Sequence, residues 1–212
     1  MRDAGLPSFK EQMLAAREEA IIRNVSRLLS EKGFDAMTVD EVASSVGIAK
    51  ASLYKHFTSK EELAASAMLR LVRRAAHMLD GIDPQVPEAD RLRAAVRWIL
   101  QVRIAGQMPA LPSQNSSLRA VLVRNREYGD AVAQIGARLL AWIEAAQRAG
   151  TIDPSLPAQA VLHALYAQAA NPLLDFLRAS GRWSDEQATE LVLRTCFGGL
   201  QPSTLKSPEP AA

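Results

Sequence analysis

Between Gly47 and Lys60 the chain carries Lys50, Lys55, Lys60 and His56 and no acidic residue, with Ser52 and Tyr54 interleaved among them. Ammonium groups neutralise phosphates, and lysines and hydroxyls on a helix surface hydrogen-bond phosphate oxygens or base edges. That is the chemistry of a nucleic-acid contact rather than of bond making. The residues that could do other chemistry do not converge. His56, His77 and His163 lack metal-ligand spacing. Cys196, the single cysteine, sits among apolar residues and reads as an inert core thiol. One cysteine also excludes an internal disulfide and fits a reducing compartment. There is no nucleophile–base set, no paired carboxylates and no glycine-rich phosphate loop after a strand. The sequence therefore predicts no catalytic residue, no metal and no cofactor.

The elements that must position these side chains are legible around them. Thr38 followed by Glu41 is a capping box, so a helix starts there. Val39, Val42, Ala43 and Val46 fall at helical spacing and form an apolar stripe. Gly47 stops that helix, and Ile48 plugs the turn. A second helix is expected from about Lys50 to Phe57, with Leu53 and Phe57 facing inward. Its opposite face presents Lys50, Ser52, Tyr54, Lys55 and His56. Ser59 with Glu62 is another capping box and opens the next helix. Helix, glycine turn and helix with a basic outer face is the layout of a helix-turn-helix DNA reader, although two ordinary surface helices have the same pattern.

The wording of this stretch is more specific than its layout. Thr38-Val39-Asp40-Glu41-Val42-Ala43, Val46-Gly47-Ile48, Leu53-Tyr54-Lys55-His56-Phe57 and Ser59-Lys60-Glu61-Glu62-Leu63 resemble the DNA-binding signature of the TetR (tetracycline-repressor-type) family of bacterial regulators. The resemblance is close over the first third of the chain and elsewhere rests on length and helical character. One position departs from it: Ala49 stands where the family usually has Ser or Thr capping the recognition helix. Alanine has no side-chain acceptor, which weakens a helix start by about 1 kcal/mol.

The rest of the chain reads as helices separated by breakers. A first helix is expected from about Phe9 to Lys32, with Ile21, Val25, Leu28 and Leu29 buried and Gly33 ending it. Residues 1–9 read as a frayed arm. The helix after Ser59 reaches about Asp80. Gly81-Ile82-Asp83-Pro84-Gln85-Val86-Pro87 is a break and marks the expected domain boundary. Further helices are expected at about 88–106, 117–149, 153–180 and 184–197, the third of these kinked at Asn171-Pro172. Gly129 and Gly136, seven apart in one of them, suit either close helix packing or room for a ligand. Of the 212 residues 48% are apolar, enough for a sizeable core, and the net charge of +2 gives no global argument for nucleic acid. The N-terminus lacks the apolar run of a signal peptide. Val161 to Leu177, the most apolar stretch, is too short and too polar to span a membrane. The fold class is therefore all-α, with about nine helices and a disordered tail over 202–212.

The resemblance implies more. It places a three-helix helix-turn-helix DNA-binding domain at 10–80, with the helix-turn-helix at about 38–57. A linking helix joins this to a larger helical ligand-binding and dimerisation domain at 81–201. Thr38 and Lys60 are carried over as phosphate contacts, and so is the Tyr54 hydroxyl. Lys50, Ala51, Ser52 and Lys55 would face the groove, Lys50 toward a guanine and Ala51 toward a thymine methyl. His56 either reaches phosphate or packs. The implied partner is double-stranded DNA carrying an inverted repeat, read by a cytoplasmic homodimer. Leu173, Leu174, Leu177, Leu191, Val192 and Phe197 are the candidate interface residues, with intrachain core as the alternative. A small, largely apolar effector is implied as well, with Trp98, Arg103, Met108, Tyr128, His163, Tyr166 and Asn171 as candidate contacts against core or surface roles. The expected function is a transcriptional regulator that represses until the effector releases it. The alternatives are an activator or ligand-independent binder of the same fold, and an all-α dimeric enzyme.

Overall fold

A computed structural model describes residues 8–110 and 116–201, leaving aside the side chains of Lys10 and Glu11. The expected N-terminal arm (apart from Ser8 and Phe9), the C-terminal tail and most of the polar loop before Ser116 lie outside the described residues. Within them the chain is helical, with ten α-helices, one 3-10 turn and no strand. No described helix is long and apolar enough to cross a membrane.

The chain divides into two compact units. The first holds residues up to Arg73 together with 106–130, and the second holds 74–105 and the residues from Ala131 onward. The helices are α1 (Phe9–Ala36), α2 (Val39–Ser45), α3 (Lys50–Leu53), α4 (Lys60–Asp80), α5 (Glu88–Ile104), α6 (Ser117–Arg124), α7 (Arg126–Arg148), α8 (Ala158–Tyr166), α9 (Pro172–Ala179) and α10 (Asp185–Gly198). The proline- and glycine-rich break at 81–87 is thus not where the units part. Leu118 and Leu122 of α6 are buried in one cluster with Ile21, Val25, Leu29, Val42, Leu53, Phe57 and Leu63. Tyr128 packs against the same cluster. The second unit has its own cluster, built on Leu92, Val96, Leu100, Ile143, Leu174, Val192 and Leu193.

Local rules account for most helix ends. Gly33 interrupts α1 with φ 76° and ψ 176°, close to the predicted stop. Ser184 and Gln187 form a capping box at the start of α10, where the expected helix begins. Three expectations need correction. The helix predicted over 117–149 breaks at Asn125, which is extended (φ −80°, ψ 101°). Its side chain accepts from the Tyr128 N–H at 2.9 Å and so starts α7 afresh. The helix predicted over 153–180 starts only at Ala158, after Pro157, because Asp153 bonds the Ser155 N–H and hydroxyl in a turn. At Asn171-Pro172 it is not kinked but broken into α8, a 3-10 turn (Ala167–Ala170) and α9. Proline at the first position of α9 donates nothing, and Asn171 caps it by accepting from the Leu173 N–H.

Candidate nucleic-acid interface

The site is assembled by α2, the glycine turn and α3. Thr38 is extended (φ −117°, ψ 152°), and its hydroxyl accepts from the Glu41 N–H at 3.2 Å. Glu41 in return accepts from the Thr38 N–H and hydroxyl, each at 2.9 Å, which completes the predicted box. Lys32 of α1 also donates to Glu41. That ammonium first, and the Thr38 donors after it, hold the Glu41 carboxyl down at about 2.

At the other end of α2, Gly47 adopts φ +66°. This lets the Ile48 N–H reach the Ala43 carbonyl at 3.0 Å and the Gly47 N–H reach the Ser44 carbonyl at 3.2 Å. The pair of bonds satisfies carbonyls that the helix end leaves open. Only a residue without Cβ enters that conformation cheaply. Leu53 and Phe57 are buried and pin the segment after the turn to the first unit's core.

The helix after the glycine turn is shorter than expected. Regular α-helix covers only Lys50–Leu53, and residues 54–56 continue as a turn. Ala49 makes no side-chain cap bond, as its type requires. The turn is nonetheless helical in character, since the Phe57 N–H bonds the Leu53 carbonyl at 3.0 Å. Lys50, Ala51, Tyr54 and Lys55 are exposed on it, whereas Ser52 and His56 are half-buried. The His56 ring lies 6.4 Å from that of Phe57. Thr38 is exposed at the start of α2. Lys60 opens α4; its ammonium lies 3.2 Å from the Asp35 carbonyl and 4.4 Å from the centre of the Phe34 ring. Glu62 donates its N–H to the Ser59 hydroxyl but turns its carboxylate to the Thr58 N–H and hydroxyl, so the second predicted box closes on Thr58.

Sequence reasoning missed an acid. The stretch 47–60 contains none, yet the Lys50 ammonium donates to the Asp40 carboxylate at 2.8 Å. This bond raises the Lys50 pKa. No local signal gives the pair away, because the partner sits ten residues back on α2 and the turn at Gly47 brings it round.

The candidate effector contacts are divided between the two units. Met108 and Tyr128 belong to the first unit, and Trp98, Arg103, His163, Tyr166 and Asn171 to the second. Arg103 donates to the Asn171 carbonyl at 2.5 Å and to Asp175, so its guanidinium ties α5 to the start of α9. The Asn171 amide is spent on the Leu173 N–H and on Gln168. His163 is exposed, and its ring lies edge-on to Tyr166 at 6.5 Å. Trp98 is half-buried, with the Arg74 guanidinium 6.0 Å from its ring centre. Of the two glycines on α7, Gly136 shows close packing: a Cβ there would lie 3.4 Å from the Tyr166 hydroxyl, while one at Gly129 would meet nothing.

The interface candidates divide between buried and half-buried positions. Leu174, Leu177, Val192 and Phe197 are buried in the second unit's own core, and Leu173 and Leu191 pack against it. Helical periodicity finds the buried face but does not say which chain buries it. Among the described residues of this unit, the large apolar side chains left exposed are Val132, Phe176 and Trp183.

Residues 21–67 match the family model described as bacterial regulatory proteins, tetR family. The HTH-type transcriptional regulator YerO of Bacillus subtilis is 49% identical over 67 residues, covering 32% of this chain and 23% of YerO. The biofilm operon icaADBC HTH-type negative transcriptional regulator IcaR of Staphylococcus epidermidis is 50% identical over 46 residues, covering 22% of this chain and 25% of IcaR. The match thus spans about a quarter of the length of these curated relatives. Solved structures extend the likeness to the fold of nearly the whole chain. Apo AibR superposes with a TM-score of 0.64 at 20% identity over 85% of this chain and 98% of AibR. AibR in complex with isovaleryl coenzyme A and operator DNA gives 0.57 at 19% identity, over 85% and 98%. Residues 21–67 thus carry the sequence of a tetR-family head, and nearly the whole chain shares the fold of solved TetR-type structures.

Proposed function

We propose that this protein is a sequence-specific DNA-binding transcriptional regulator that represses by occupying an inverted-repeat operator as a homodimer. The observation that carries the reading is the head: a capped α2, a glycine turn and an α3 whose exposed side is Lys50, Ala51, Tyr54 and Lys55. In this reading α3 lies in the major groove, with Lys50 and Ala51 at base edges and Ser52 and Lys55 beside them. Thr38, Tyr54, Lys60 and His56 are the phosphate contacts. The Thr38 hydroxyl and N–H are engaged with Glu41, so a phosphate there shares the helix N-terminus with that carboxylate.

One head contacts too few base pairs for tight recognition, and two heads related by a two-fold axis solve this. Phe176 (71% exposed) and Trp183 (43% exposed) are the apolar side chains we assign to subunit association, in place of the buried leucines. Repression is supported by the likeness to IcaR, a negative regulator. Binding of a small molecule is supported by the likeness to AibR, solved in complex with isovaleryl coenzyme A and operator DNA, and we assign to the effector the role of releasing the operator. An effector acts by binding better to the state that does not fit DNA. Moving that equilibrium from 1:99 to 99:1 takes about 5.5 kcal/mol of differential binding.

Selection of bound sequences from a random duplex pool tests the reading. An enriched inverted repeat is the expected result. Binding without enrichment, abolished as salt rises, would reduce the protein to a non-specific cationic helix binder and refute sequence-specific regulation.

A further inference from the structure

The acid paired with Lys50 bears on how the head discriminates, provided it reads DNA as proposed above. Lys50 is the exposed cation at the start of α3, and the Asp40 carboxylate on α2 holds it at 2.8 Å with both side chains open to solvent. Lys60 is held differently, by a backbone carbonyl and an aromatic ring, neither of which carries a formal charge.

We propose that Asp40 is a specificity-determining residue of the head, which by holding Lys50 denies that lysine to phosphate and keeps it for a base edge. The reason is electrostatic. An ammonium has three donors, so it can keep one on Asp40 and give another to an acceptor on DNA. If that acceptor is a guanine O6 or N7, the carboxylate meets an uncharged group. If it is a phosphate, the shared ammonium draws two anions to within a few ångströms of each other, and they repel. The Lys50–Asp40 pair therefore penalises the contact available at every sequence and spares the one available only where a guanine stands. The upward shift of the Lys50 ammonium agrees with a cation kept charged within the pair. Asp40 touches no base in this account; it positions the residue that does.

The test is a titration of labelled duplexes, one carrying the selected repeat and one of scrambled sequence, at salt concentrations from about 50 to 200 mM. The proteins are the intact chain, Asp40→Asn, Asp40→Glu, Lys50→Ala and the double variant Asp40→Asn/Lys50→Ala. Freeing Lys50 adds about one phosphate contact, so Asp40→Asn steepens the salt slope on scrambled DNA by about 0.9. Across that four-fold salt range its affinity then falls about three-fold more than that of the intact chain. The ratio of selected to scrambled affinity falls as well. Asp40→Glu, which keeps the carboxylate, restores the original slope and ratio, and Asp40→Asn has no effect once Lys50 is alanine. The proposal is overturned if Asp40→Asn leaves slope and ratio unchanged. It is equally overturned if the steepening persists without Lys50, since the acid then acts only through net charge. An intact chain that prefers no sequence would refute the DNA-reading function itself, a different result from an intact preference that ignores Asp40.

Discussion

Ala49→Ser should stabilise the head while leaving its affinity for DNA almost unchanged. Ala49 already has the extended backbone of an N-cap residue (φ −68°, ψ 142°), so a serine there adopts no new conformation. What the position lacks is an oxygen for the N–H groups of the first turn of α3. Ser, Thr, Asp or Asn in place of Ala at such a position contributes about 1 kcal/mol. The effect should be close to that value, because α3 has only four residues in regular helix and one cap therefore serves much of it. The assay is native-state hydrogen exchange of the amides whose bonds close this segment: Ser52 to the Ala49 carbonyl, His56 and Phe57 to the Leu53 carbonyl. Stabilisation by about 1 kcal/mol slows their exchange about five-fold if they open locally, and denaturant unfolding of the head shifts by the same free energy. Since Leu53 and Phe57 already hold the segment against the core, the bound conformation exists before binding, and duplex affinity should move less than two-fold, about 0.4 kcal/mol. A large gain in affinity with unchanged exchange would refute this reasoning, because α3 would then form only on DNA.

Lys60→Ala should weaken binding to all duplexes alike and shallow the salt slope by about 0.9, with a further loss of about 0.5–1 kcal/mol of stability from the Phe34 contact; a changed sequence preference in the selected pool would remove it from the phosphate contacts. Glu41 is held at about 2 against an ordinary 4.5, so its stabilisation is complete above pH 4.5 and is lost as pH falls from there through 2. Acid unfolding followed by circular dichroism should lose part of its steepness in that window in Glu41→Gln, and an identical profile would place the acid sensitivity elsewhere. Leu118→Ala should cost the head about 2–5 kcal/mol, read as faster exchange of α2 and α3 amides, because Leu118 is 1% exposed within the head's own cluster; a head ending at the 81–87 break would not notice it. Phe176→Asp should raise the concentration at which subunits associate in sedimentation without lowering thermal stability, whereas unchanged association would take Phe176 out of the interface.

The sequence by itself determined the class of the fold, the head and its punctuation. The box at Thr38, the turn at Gly47 and the buried stripe of Ile21–Leu29 came out as their residue types require. All of these are local: a cap, a left-handed glycine or a helical stripe is decided within a few residues. Breaks made by side-chain capping rather than by glycine, at Asn125 and Asn171, were harder to read, because asparagine serves a helix interior and a helix start alike until its partner N–H is known.

Only the tertiary structure decided which buried residues share a core. It placed Leu118 and Leu122 with the head and turned four of the six expected interface residues inward. It also decided which acid faces Lys50. Asp40 and Lys50 are ten residues apart, a distance at which no periodicity relates two side chains, and the glycine turn folds them to 2.8 Å. The cations of a local window are thus legible in the sequence, but the partner each of them meets is supplied by the fold.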